Sequence, residues 1–181
     1  MRHTLRLHPD SACCAVTQVE VEIARPRTHN LIFAYVVTGR ISDVAMPALA
    51  VATRMDELWR HTCFEAFIGA GSAYYEFNFA PSRNWAAYRF SSYRTGMRVA
   101  TEIDAPPISV QFSLERYTLQ TSLELDALLL PREATLRLGL SAVIEENSGR
   151  RSYWALAHPA GKADFHHSDC FTLELSETYP P

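Results

Sequence analysis

The amino-acid sequence predicts an all-β protein, an antiparallel two-sheet β-sandwich of about ten strands with at most one short helix. Three observations predict it. Apolar and polar residues alternate with a period of two over many short segments, which turns one set of side chains toward a core and the other toward water. Turn-forming Gly, Pro, Asn and Ser residues cut these segments apart at short intervals. One longer stretch, residues 74–97, YYEFNFAPSRNWAAYRFSSYRTGM, interleaves aromatic and polar side chains in the manner of a hairpin.

Residues 16–24, VTQVEVEIA, set Val19, Val21 and Ile23 against Gln18, Glu20 and Glu22, a half-buried strand closed by Arg25, Pro26 and Arg27. Residues 30–38 are β-branched and aromatic at their centre and read as a central strand covered on both faces. A long loop over residues 41–55, holding Pro47, follows. In residues 58–68, LWRHTCFEAFI, Phe64, Ala66 and Ile68 share one parity and Trp59, His61, Cys63 and Glu65 the other, so Trp59 and Glu65 are expected to face the same way.

Gly69 and Gly71 then turn the chain into the aromatic hairpin. There Tyr75, Phe77 and Phe79 take one face and Tyr74, Glu76 and Asn78 the other. Pro81, Ser82, Arg83 and Asn84 form the turn, with Asn84 suited to left-handed backbone. The return strand is read as placing Arg89 beside Glu76 and Asn78 on a polar, aromatic-flanked face that suits a small polar ligand. Beyond the break at Ala105, Pro106 and Pro107, residues 108–114 and 117–125 alternate around a tight turn at Glu115 and Arg116. Asp126 caps the one helical turn, over residues 126–130, ahead of Pro131. Residues 136–144, 152–157 and 171–175 supply the last strands, the third after a polar loop over residues 158–169.

With 181 residues, the chain is read as a single domain over residues 1–181. Its 17 Lys and Arg stand against 20 Asp and Glu, a net charge of -3, and the cations, all arginine except Lys162, are scattered. Such a balance offers no field to gather nucleic acid or an anionic membrane. The segment MRHTLRLHPDSACC has no apolar run before a small-residue cleavage site, so a cytoplasmic location is expected. No segment approaches the roughly 20 apolar residues that span a bilayer. Cys13, Cys14, Cys63 and Cys170 lack the paired spacing of zinc sites and are expected as free thiols, the last two as small buried hydrophobes.

Four stretches, LWRHTCFEAFI, YYEFNFAPSRNWAAYRF, YRTGM and YWALAHPAGKADFHHSDCF, together resemble the bacterial DOMON-like domain proteins, which are similar to family 9 carbohydrate-binding modules. The resemblance covers nearly the whole chain. It implies a β-sandwich of the immunoglobulin-like or jelly-roll kind and a ligand class of sugar or haem. By resemblance, Trp59 and Trp154 match the pair of tryptophans that clamp a terminal sugar ring, and Glu65 matches the acid that bonds its hydroxyls. Asn78, Arg89 and Arg151 are the candidate amide and basic partners, and Glu76 joins them on the polar sheet face.

The leading expectation is therefore a non-catalytic ligand-binding domain that takes a saccharide or similar polyol by aromatic stacking and polar contacts at Trp59, Glu65, Glu76, Asn78, Arg89, Arg151 and Trp154. The alternative from another class is a protein-protein interaction or structural domain. A third reading needs a cofactor, which the leading one does not: a metal ion on His158, Asp164 and His166 in the polar loop, or a haem held by Met97 or Met55 with a histidine. There is no GxSxG, no P-loop and no GxGxxG leading into a helix, so no enzyme activity is expected.

Overall fold

The computed structural model describes residues 1–131 and 134–175. Among these residues there are twelve strands, four short 3-10 turns and no α-helix. The strands are β1 (Arg2–Leu7), β2 (Val16–Arg27), β3 (Asn30–Gly39), β4 (Cys63–Ala70), β5 (Ala73–Phe79), β6 (Trp85–Phe90), β7 (Arg98–Val99), β8 (Ile108–Phe112), β9 (Arg116–Glu124), β10 (Leu136–Glu145), β11 (Arg151–Ala155) and β12 (Leu173–Leu175). All pairings between them are antiparallel.

The expected segments form where alternation is strongest. In β2, Val19, Val21 and Ile23 are buried while the residues between them are not, as a strand with one wet face requires. β3 departs from expectation, because only Leu31, Phe33, Tyr35, Val36 and Val37 are buried and its second face stays partly open. The N-terminal strand β1 was not expected. The helical turn read at Asp126 is a 3-10 turn over Leu125–Ala127 that no side chain caps, and Asp126 pairs instead with His29 at 2.9 Å.

Hydrogen bonding runs unbroken through the order β7-β6-β5-β4-β10-β11-β1-β2-β3-β9-β8, with β12 beside β10, where two separate sheets were expected. β1 makes the join: Arg2 to Leu5 pair with β2, and Arg6 and Leu7 pair with β11. The sheet curls so that its two halves meet across one core. Tyr35 of β3 packs on Phe64 of β4, with ring centres 5.2 Å apart, and Phe64 stacks on Tyr117 of β9. The Tyr35 hydroxyl donates to the carbonyl of Glu65 at 2.6 Å, so a phenol that would be costly to bury alone is satisfied.

That core takes one face of β4, β5, β10 and β11. Their other face is covered as well, by the turn Leu58–Arg60 and by the segment around residues 163–171, so every residue of β4 is buried. Here the site lies.

Candidate ligand-binding pocket

Strand parity fixes which side chains reach the covered outer face. Glu65 on β4 lies opposite Asn78 on β5 and opposite Ser141 on β10, while Glu76 pairs across with Phe67 and Tyr88. Glu65, Glu76, Asn78, Tyr88, Phe90, Ser141 and Tyr153 therefore share one face. Over it is a pocket of about 490 Å³ whose lining includes Trp59, Glu65, Glu76, Arg94, Arg151, Tyr153 and His166. Trp59 reaches it from the 3-10 turn, half-buried and edge-on to Tyr88 at 5.9 Å.

Both acids are buried. Asn78 donates its side-chain amide to Glu76 Oε1 at 2.8 Å, and Ser141 donates its hydroxyl to Glu65 Oε2 at 3.3 Å. Among the described residues Glu65 Oε1 has no hydrogen-bond partner. Burial, and then the charge of Glu76, hold the Glu65 carboxyl well above the usual carboxylate range. Burial likewise pushes Glu76 up to about 7, against the pull of the Asn78 hydrogen bond and the Arg94 guanidinium.

His166 closes the pocket from the covering segment, packed edge-on against Phe67 and Phe90 at 5.2 Å and 5.1 Å. Burial, and then Arg94, lower its imidazole to about 4, so it is neutral at physiological pH. The Tyr74 hydroxyl accepts the backbone N–H of Arg94 and lies 2.9 Å from His166 Nδ1. Donation from that hydroxyl to Nδ1 leaves the Nε2 hydrogen facing Glu76 Oε2, at 3.6 Å. Arg94 itself is held by Asp164 at 2.7 Å, and Asp164 also accepts from Tyr93. The pocket thus combines two buried acids, a neutral imidazole, the three arginines Arg60, Arg94 and Arg151, and an indole, a set that can both donate to and accept from neutral hydroxyl groups while a flat ring offers a stacking face.

Of the residues expected at the site, Trp59, Glu65, Glu76 and Arg151 line this pocket. Asn78 sits beneath it, fully buried, and supports Glu76. Trp154 does not reach it. On β11 it is Tyr153 that faces the pocket, so the next residue points the other way, 5% exposed in the main core, with its indole N–H on the Ser152 hydroxyl at 3.0 Å. No tryptophan clamp is formed.

Arg89 is also on the opposite face, as the cross-strand partner of Tyr75, where its guanidinium donates to the carbonyl of Leu129. The metal candidates are not assembled. His158 bonds to the carbonyl of Arg6, Asp164 serves Arg94, and among the described residues no group of three or more His, Cys, Asp and Glu is placed to hold a metal ion. Met97 is at the pocket rim and Met55 lines a different cavity. The residues that sequence reasoning missed include Arg60, Arg94, Tyr153, Phe90 and Phe165. Phe90 could have been found from the parity it shares with Tyr88, and Tyr153 only once the outward face of β11 is known, because it alternates with Trp154.

Comparison with known proteins gives similarity of structure. A candidate carbohydrate-binding protein from Bacteroides uniformis matches with a TM-score of 0.69 at 13% identity, over 94% of this chain and 84% of that one. A family 9 carbohydrate-binding module from Caldicellulosiruptor kristjanssonii, solved with cellotriose, matches with a TM-score of 0.50 at 13% identity, over 89% of this chain and 74% of that one. The likeness is one of fold. No family model and no curated protein sequence matches the chain. Among the described residues no helix is long and apolar enough to cross a membrane.

Proposed function

We propose that the chain is a non-catalytic ligand-binding domain of the DOMON-like kind, a single unit over residues 1–181 whose facing sheet halves act as the layers of a β-sandwich. It takes a saccharide or similar polyol in the pocket over Glu65 and Glu76. The observation that carries this reading is the buried acid pair, one of whose oxygens lacks a partner, opening onto a pocket walled by a half-buried indole. Sugar rings present both what the pocket lacks and what it offers to hold: hydroxyls that donate and accept, and a C–H face that packs on an aromatic ring. Trp59 would supply the stacking surface, Glu65 and Glu76 the hydroxyl contacts, and Arg151 and Arg94 a polar rim, with Asn78 fixing Glu76 in place. The likeness to a module that binds cellotriose supports the ligand class. Each hydrogen bond to the sugar replaces one to water, so the dissociation constant is expected in the micromolar to millimolar range.

The test is a titration with mono- and disaccharides, cellobiose included, followed by tryptophan fluorescence and calorimetry. Trp59→Ala is expected to remove both the fluorescence response and at least tenfold of affinity, and Arg89→Gln, on the far face, to leave both unchanged. A panel in which no saccharide perturbs the protein at millimolar concentration refutes the proposal.

A further inference from the structure

A second and larger cavity, about 1390 Å³, lies on the other side of the turn Leu58–Arg60. Most of the surface it exposes is apolar: Val44, Met46 and Leu49 from the loop before the turn line it together with Val110 and Phe112 of β8 and Tyr117, and polar residues such as Asp56, Thr62 and Asn84 complete the lining. Three of the surrounding side chains stand unusually far into water, Phe112 at 73%, Leu114 at 83% and Leu49 at 55% exposed. Single exposed hydrophobes are ordinary, but a contiguous set around one concavity marks a binding surface.

Two features narrow what would fill it. Arg60 is held by Glu57 and His61 by Glu145, each at 2.7 Å, and Asp56 accepts the Tyr88 hydroxyl at 2.6 Å, so the charged side chains at this end are already engaged within the protein. Tyr117 is 3% exposed, and its hydroxyl has no partner among the described residues. The cavity therefore suits a neutral apolar group, with at most one polar atom.

The same turn walls both spaces. Trp59 faces the polar pocket, Leu58 the apolar cavity, and Arg60 lines both. We infer that the ligand is an amphiphile: a glycoside whose sugar ring occupies the pocket over Glu65 and Glu76 and whose apolar aglycone passes Arg60 into the larger cavity. This rests on the saccharide reading above and adds the ligand's second half. A free sugar would leave the apolar surface in water; an alkyl or aromatic aglycone removes it, and affinity should grow with the area covered.

Calorimetry with n-alkyl β-D-glucosides, from methyl to octyl and each below its micellar concentration, tests this directly. Affinity is expected to rise about two- to fourfold for each added methylene, the gain from full burial being near the upper figure. Leu49→Asp, at a position 55% exposed, should flatten that rise. Glucosides that bind equally at every chain length overturn the inference and leave the saccharide reading standing. Failure of the whole series and of the free saccharides removes both. If 1-octanol binds as tightly as octyl glucoside, the cavity takes apolar molecules by itself and the amphiphile is refuted.

Discussion

Replacing Glu76 with glutamine tests the electrostatics of the pocket without changing its shape. Glu76 titrates at about 7 in the folded protein and near 4.5 in the unfolded chain. Between those values the folded state holds the extra proton, so this group's contribution to stability is complete below the unfolded pKa and is lost as pH rises through the folded one. The loss is roughly 3 kcal/mol, at about 1.4 kcal/mol per pKa unit. His166 works the other way. Its folded value of about 4 lies below its unfolded 6.5, so its contribution is lost as pH falls. In the wild type the two slopes oppose each other between about pH 4.5 and 6.5, and the whole-protein profile is expected to be shallow there.

Glutamine keeps the acceptor for the Asn78 amide and cannot ionise. The difference between variant and wild type cancels the His166 contribution and leaves that of Glu76 together with its interaction with Glu65. Urea denaturation followed by tryptophan fluorescence at pH 4.5, 6 and 8 should show the variant gaining roughly 3 kcal/mol relative to wild type across that range. For a chain of this length that is a melting-temperature difference of about 6–12 °C. A fixed offset from repacking against His166 is the same at every pH and does not alter the gain. Should the difference stay constant with pH to within about 1 kcal/mol, Glu76 is an ordinary acid and the picture of a buried, proton-holding pair is wrong.

Two further predictions concern the scaffold. The Arg54 guanidinium donates to the carbonyls of Ala87, Ala100 and Ile103 at 3.0–3.2 Å and lies 4.1 Å over the Trp85 ring, tying the long loop to β6 and to the segment after β7. Arg54→Ala should cost about 3 kcal/mol and Arg54→Lys about half of that; urea midpoints for both variants within error of wild type would show the tie to be inert. All four cysteines are free thiols, with Cys14 exposed and Cys63 and Cys170 buried, and burial pushes the Cys170 thiol up to about 12. A disulfide-exchange reagent at pH 8 should modify Cys14 and the half-buried Cys13 in the native protein and reach the other two only after denaturation, so rapid labelling of Cys63 would contradict the packing of β4.

Period-two patterning located most of the strands because each half-buried strand writes its own alternation. It failed where parity had to be carried across a break. Trp59 and Glu65 do line the same pocket, yet Trp59 stands on a 3-10 turn and not on β4, so their shared parity was no reason for it. Across the turn between β5 and β6, where Arg83 and not Asn84 adopts the left-handed conformation, the register pairs Glu76 with Tyr88 and so sends Arg89 to the other face. The loop length that sets this register leaves no mark in the alternation itself. Trp154 fails for a different reason. An aromatic pair such as Tyr153 and Trp154 must put one ring on each face, and which face is the wet one depends on a covering segment that residues 58–60 and 163–171 supply from far away in sequence. β1 escaped notice because its outward residues, including Arg2, Thr4 and Arg6, read as a polar terminus.

The same covering segment bears on whether the acids are structural. A purely structural account has Glu65 and Glu76 tying the sheet to Ser141, Asn78 and His166. The tie is incomplete, since Glu65 Oε1 is left without a partner and an unmade bond at a buried acceptor costs about 1–3 kcal/mol. It also weakens as pH rises through 7, where an amide at the same position would not. Phe67, next in line on the same face of β4, shows how this surface is filled when packing is the only requirement: its ring contacts Tyr74, His166 and Phe171. Two ionisable groups held at a cost beside a pocket, with one acceptor aimed at no protein donor, fit a surface whose missing partner is a hydroxyl brought by a ligand. Saturating saccharide should therefore raise the stability of the wild type more than that of Glu65→Gln, and equal stabilisation of the two would return the acids to a structural role.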